Sequence, residues 1–176
     1  MLKNLVTAVL LLLVSACSTT RMESAEIAAI TEKPSTVIYL VRHAEKSKAK
    51  TKDPELSDAG QSRAKVLAEL LADVELDKIY STNYIRTQMT ATPTAKSQKL
   101  EITPYALPAK LLAAKILKLH KLEKVLVVGH SNTIPELISA LGIETPIVIE
   151  HDQYGDLYIV KFDAGKPQLT LSKFGK

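Results

Sequence analysis

Four side chains of this 176-residue sequence have the types and settings that chemistry on an anion requires. Arg42 and His43 follow the apolar run Thr36–Val41, TVIYLV. His130 follows Lys124–Val128, KVLVV, and Gly129. Arg86 comes shortly after a third short stretch, Asp77–Tyr80, and the tripeptide Ser81-Thr82-Asn83. A guanidinium presents a planar fork of donors that fits phosphate oxygens. A neutral imidazole is a competent nucleophile at phosphorus. Two arginines and two histidines gathered in one place make a cationic pocket. Such a pocket stabilises the charge that spreads over a phosphoryl group during its transfer. Taken singly, a histidine after a strand or an arginine on a helix reads as an ordinary surface side chain. The expectation rests on their joint placement.

That placement depends on the elements. TVIYLV and KVLVV are continuous β-branched and apolar runs, as in parallel strands buried on both faces. Ser57 reads as the N-cap of a helix over Ala59–Ala72. Tyr84–Lys99 reads as a second helix, which Pro93 must begin, kink or break. Pro108 opens a third helix, to about Leu119, and Thr133–Leu141 is a fourth, with Pro135 in its first turn and Gly142 just past its end. Leu100–Thr103, Ile147–Glu150, Leu157–Asp163 and Gln168–Ser172 read as strands, the last two joined by a hairpin turn at Asp163-Ala164-Gly165-Lys166. The alternation predicts an α/β fold, a three-layer α/β/α sandwich with a mostly parallel sheet and an antiparallel edge. Ligands of such sheets bind just past the carboxyl ends of the strands, where Arg42, His43, Arg86 and His130 all fall.

Composition narrows the partners. The chain is 46% apolar and 24% charged, which is the balance of a folded domain. Its net charge of +4 is modest, its Lys and Arg are dispersed, and it has no Trp and two Phe, so no nucleic-acid surface is expected. A lone cysteine, Cys17, excludes an internal disulfide and a thiolate-rich zinc site. Residues 1–16, MLKNLVTAVLLLLVSA, have the positive start and short apolar stretch of a signal peptide, too short to span a bilayer. Val14-Ser15-Ala16-Cys17 resembles a bacterial lipobox, which implies cleavage before Cys17 and lipid on that residue. Residues 17–35 then form a lipidated Cys and linker, and 36–176 the folded domain. The implied location is the cell envelope, at the outer membrane facing the periplasm, with the lipid as the only membrane contact.

Four segments carry a further resemblance. VRHAEK at 41–46, LSDAGQSRA at 56–64, YSTNYIRTQMTATPTA at 80–95 and VVGHSNT at 127–133 resemble, in order and spacing, segments of the histidine phosphatase (phosphoglycerate mutase-like) superfamily. The resemblance implies that His43 is a phosphohistidine nucleophile and that Arg42, Arg86 and His130 bind the phosphoryl group. It implies no metal and no organic cofactor. It also implies a phosphatase acting on phosphorylated small molecules or phosphoproteins; a phosphate-binding envelope lipoprotein with weak or no catalysis is the alternative. The chain departs from the family pattern twice. Ala44 stands where a Gly is usual. Ser131 follows the second His, and ITPYALPAK at 102–110 holds no carboxylate, so no acid takes the usual places. Glu45 and Asp156 are the candidate replacements, with Asp53, Glu55 and Glu101 behind them. Proton donation to a leaving group typically contributes 10²–10⁴-fold. His120 reads as solvated near a helix end, and His151 as a residue bordering the pocket.

Overall fold

The computed structural model describes residues 35–175, so the expected signal peptide, Cys17 and nearly all of the linker lie outside the described residues. Six strands form one sheet: β1 (Val37–Arg42), β2 (Lys78–Thr82), β3 (Ile102–Tyr105), β4 (Lys124–Gly129), β5 (Asp156–Asp163) and β6 (Lys166–Lys173). Their order across the sheet is β3-β2-β4-β1-β5-β6. β1 to β4 run parallel, and β5 runs antiparallel to both β1 and β6. The helices are α1 (Asp58–Leu70), α2 (Ile85–Gln98), α3 (Ala109–Leu119) and α4 (Thr133–Ala140).

The strand order explains the layers. The connections β1-α1-β2 and β2-α2-β3 step in one direction along the sheet, whereas β3-α3-β4 steps back. Right-handed crossovers therefore put α1 and α2 on one face and α3 on the other. The core divides accordingly. Leu67, Leu71, Ala91 and Ala95 pack on Val41, Ile79, Leu126 and Val128. Leu112, Ile116, Leu137 and Ile138 pack on Ile38, Leu40, Val125 and Val127. This is the expected three-layer sandwich.

One expectation needs correction. Ile147–Glu150 forms no strand and belongs to the connection between α4 and β5. Both sides of β1 are already paired, with β4 and β5. The apolar alternation serves packing instead: Ile149 is buried and Ile147 leans on the same cluster beneath α3 and α4. The helix expected over Tyr84–Lys99 is present: α2 runs through Pro93 to Gln98, and Pro93 neither begins nor breaks it. Its small buried face, Thr87, Thr90, Ala91, Thr94 and Ala95, packs closely enough to outweigh one missing backbone bond. The hairpin turn is as expected: Ala164 (φ 47°) and Gly165 (φ 81°) both have positive φ, the geometry of a type I′ turn.

The Leu-Ser-x-x-Gly segment has a local cause. Ser57 caps α1 by accepting from Gly60 N at 3.2 Å, and Ser57 N donates to Glu45 O at 2.9 Å. Gly60 then lies so close to the chain after His43 that a Cβ would stand 2.2 Å from Glu45 O. Gly60→Ala should force that backbone apart. The expected cost is about 1–3 kcal/mol in urea unfolding, as for other overpacked sites. An unchanged midpoint would show that the contact yields freely.

Candidate active site

The register of β1 on β4 pairs Arg42 with Gly129. The next residue of each chain is a histidine, so His43 and His130 leave the sheet side by side, and His43 N donates to Gly129 O at 2.9 Å. Their ring centroids are 5.3 Å apart in an edge-on arrangement. β2 pairs with β4 on the other side and ends at Thr82, from which the chain enters α2 with Arg86 in the first turn. The structure thus brings Arg42, His43, Arg86 and His130 together at the carboxyl edge of three adjacent parallel strands.

Each group is held in one orientation. His43 is 5% exposed, and its Nδ1 lies 2.7 Å from Ala44 O. A carbonyl can only accept, so Nδ1 carries the proton and Nε2 keeps the lone pair. Ala44 N donates to Thr90 Oγ1 at 3.0 Å, and Thr90 donates to Arg86 O, which ties the segment after His43 to α2. His130 Nε2 lies 2.9 Å from Thr82 Oγ1, which in turn lies 3.0 Å from Thr87 Oγ1. Thr87 turns its hydroxyl to the Thr82 and Tyr84 carbonyls, so Thr82 donates to Thr87 and accepts from His130. Gly129 is needed for this approach: a Cβ there would meet Thr133 Oγ1 at 2.7 Å and Tyr105 OH at 2.8 Å. Ala44, by contrast, has no positive φ and sets its methyl among Leu56, Ala64 and Met89, so replacement of the usual Gly costs nothing visible here.

The guanidinium of Arg42 is gripped by the loop before β5. Nη1 donates to Glu150 O, His151 O and Gln153 O at 2.8, 2.9 and 3.2 Å, and Cζ lies 4.2 Å from the Tyr154 ring centroid. Its Nε is buried and has no hydrogen-bond partner among the described residues, a donor that suits an anion's oxygen. Arg86 stacks on Tyr84 at 4.4 Å and donates Nη1 to Asp53 at 3.1 Å. The Asp53 carboxylate also accepts from Ile85 N, capping α2 from outside. Tyr84 and Tyr154 were not foreseen. They flank the histidines, with ring centroids 5.0 Å from His130 and 6.0 Å from His43 respectively.

Both candidate acids have other partners. Glu45 binds Arg63 through both oxygens, with the shortest contact at 2.7 Å. Burial raises its pKa, but Arg63 outweighs this and leaves the carboxyl below its usual value. Asp156 is 5% exposed and accepts from Lys173 Nζ at 3.0 Å, Tyr158 OH at 3.3 Å and Gln153 Nε2. Burial is again the largest influence and is outweighed by those donors, so its pKa is also lowered. Both groups favour the ionised state, which is the wrong state for a proton donor. Asp156 instead fixes Gln153 and with it the loop that holds Arg42. His151 borders the pocket through its backbone carbonyl and its side chain is exposed. His120 is not solvated: it ends α3 and bonds Tyr80 OH at 2.8 Å and Glu123 at 2.5 Å. Among the described residues, no cluster of three or more His, Cys, Asp or Glu is placed to hold a metal.

Comparison with known proteins bears on the sequence of the first half of the domain and on the fold. The sequence profile of the histidine phosphatase superfamily (branch 1) matches residues 38–106. Phosphoserine phosphatase 1 of Hydrogenobacter thermophilus is 39% identical over 71 residues, 37% of this chain and 34% of that protein, so the match spans about a third of the relative's length. Among solved structures, the protein histidine phosphatase SixA complexed with tungstate superposes with a TM-score of 0.64 at 18% identity, over 78% of this chain and 96% of that one. Phosphoserine phosphatase from Entamoeba histolytica, in complex with 3-phosphoglyceric acid, superposes with a TM-score of 0.61 at 19% identity, over 80% of this chain and 98% of that one. At such identities the structural likeness speaks for the fold alone.

The buried histidines make a testable demand on stability. Burial, reinforced by the neighbouring cations, lowers the pKa of His43 and of His130 from 6.5 to about 4. An unfolded chain thus binds protons between those values that the fold rejects. The stability conferred by the neutral rings is complete above about pH 6.5, declines as pH falls toward 4, and changes no further below that. At about 1.4 kcal/mol per pKa unit, His43 alone accounts for roughly 3 kcal/mol. Urea unfolding in phosphate-free buffer should show the loss between pH 7 and 4.5, and His43→Gln and His130→Gln should each flatten it. Unchanged slopes in both variants would contradict burial as the cause.

Residues 38–106 match the profile of the histidine phosphatase superfamily (branch 1), and the fold that carries them resembles that of solved phosphatase structures.

Proposed function

We propose that the protein is a phosphatase that passes a phosphoryl group from its substrate to His43 and then to water. One observation carries the reading: His43 donates Nδ1–H to Ala44 O and so keeps Nε2 unprotonated, buried between Arg42 and Arg86. In the first step the Nε2 lone pair forms a bond to phosphorus, and the bond to the leaving oxygen breaks with its electron pair. Arg42 and Arg86 donate to the other oxygens, and His130 joins them when its Nε2–H turns from Thr82 to the anion. In the second step water attacks phosphorus, His43 leaves as neutral imidazole, and phosphate is released.

The leaving group sets the substrate class. Glu45 and Asp156 are both ionised and engaged, so neither protonates a departing alkoxide. Phosphorylated substrates whose leaving group is stable as an anion suit this site best, and an aryl ester is the simplest probe. Purified protein should turn over p-nitrophenyl phosphate on the order of 10² times faster than an alkyl phosphate, the lower end of what a proton donor contributes. His43→Ala should abolish the reaction, chelators should not, and an acid-labile phosphoenzyme should appear in wild type alone. Equal rates on the two esters would show that a donor acts after all. Phosphate binding with no turnover of either ester would assign the alternative, a phosphate-binding protein, which the engagement of both carboxylates favours.

We further propose that the protein is a lipid-anchored component of the cell envelope, on the support of Val14-Ser15-Ala16-Cys17 after a short apolar stretch. Several acyl chains give firm anchoring where one is marginal. Radiolabelled palmitate should be incorporated in a bacterial host and lost in Cys17→Ser; labelling that survives this change would overturn the assignment.

A further inference from the structure

Helix α3 shows water a face unlike the rest of the surface. Its inner side is already satisfied, with Ala109, Leu112, Ala113 and Ile116 buried against the sheet and α4. Yet Leu107, Leu111, Leu119 and Leu122 are 54%, 62%, 56% and 62% exposed, and they fall within sixteen consecutive residues. Isolated exposed leucines are ordinary, but a cluster of them is a mark of an interaction surface. Leu122 adds a second sign. It sits at φ 64°, where a bulky residue is disfavoured and Gly or Asn is at ease, and its side chain still points to solvent.

The charges around these leucines are of one sign. Lys110, Lys115, Lys118 and Lys121 are all exposed, and none takes part in an ion pair among the described residues. No acidic residue lies between Glu101 and Glu123 in the sequence. Two carboxylates border the helix and both have duties: Glu123 pairs with His120, and Glu136 accepts from Ala109 N at 3.2 Å. At 100° per residue, Leu111, Lys115 and Lys118 form one outward stripe on α3, and Leu122 lies in the turn that follows the helix. Long lysine stems lie along apolar surface while their ammonium groups reach outward.

We propose that α3 and its flanks form a docking surface for an anionic lipid bilayer, independently of any phosphatase activity. Charge selects an acidic partner, and composition selects lipid over protein. Protein interfaces gather aromatic residues and Arg in packed pockets and are depleted of Lys, and Leu is scarce among their hot spots. Residues 107–122, LPAKLLAAKILKLHKL, hold no Trp, Tyr, Phe, Met or Arg. Leucines spread among lysines need no matching shape. They suit a fluid interface, in which apolar side chains enter the headgroup boundary while lysines meet anionic lipids.

The test uses the full chain carrying Cys17→Ser, with one new cysteine at a time, Leu111→Cys or Leu122→Cys, bearing an environment-sensitive fluorophore. Leu171→Cys, exposed on β6, is the control. Vesicles containing phosphatidylglycerol should shift the emission to the blue at 111 and 122, shield it from an aqueous quencher, and leave 171 unchanged. High salt should reverse the shift. Combined Lys110→Glu, Lys118→Glu and Lys121→Glu should weaken vesicle affinity on the order of tenfold or more. No shift at 111 and 122, an equal shift at 171, or an equal shift with pure phosphatidylcholine would overturn the proposal. So would the same shift with soluble polyglutamate, which would reassign the surface to an acidic protein. The label reports on the native lysines, so the result stands even if the charge-reversed variant fails to fold.

Discussion

The pairing of β1 with β4 sets Arg42 opposite Gly129, and the site follows from it. Side chains alternate across a strand, so a slip of one residue would send the histidines toward opposite faces of the sheet. The register is fixed on both sides. Ile38 and Leu40 belong to the core beneath α3 and α4, and Val41 to the core beneath α1 and α2. Two separate hydrophobic clusters thus agree on one alignment, and the chemistry inherits a position it does not itself stabilise.

What collects at that edge is costly to a fold. The His43 imidazole is buried and that of His130 half-buried, both neutral beside two guanidinium groups, and Arg42 Nε has no acceptor among the described residues. The neighbouring structure meets the rest of the demand. Three backbone carbonyls take up Arg42 Nη1, two tyrosine rings cover the guanidinium planes, and Asp53 joins Arg86 to the start of α2. Under the proposed function, an arriving phosphoryl group would supply what is still missing, an anion for the cations and an acceptor for the last donor. Preorganised charge of this kind is effective because no group must move when the reaction starts.

The buried parallel strands were legible because both their faces meet apolar layers, so the residues run apolar without a break. Arg42, His43 and His130 were placed by the ends of those strands, and Arg86 by the helix that follows β2. Ile147–Glu150 misled because its alternation is real but packs a loop onto the core. Adjacency did not tell the role of the nearest acid. Glu45 is two residues past His43 in the chain, yet the partner that holds it ionised, Arg63, is on α1, and no local pattern announces that pair. Tyr84 and Tyr154 were hidden for the same reason: each meets its arginine across a turn or loop.

The sheet order has a consequence for how the chain acquires its shape. β1 touches neither β2 nor β3; its neighbours are β4 and β5, at residues 124–129 and 156–163. A ribosome must therefore release most of the protein before the first strand gains a partner, and β4 must enter between two strands already made. Pairings so distant in sequence close large loops before any contact rewards them, which slows folding. His43 emerges early, but the carbonyls that grip Arg42 come from residues 150–153 and are among the last to be made. A nascent chain stalled before that loop would carry all four sequence motifs and no finished pocket.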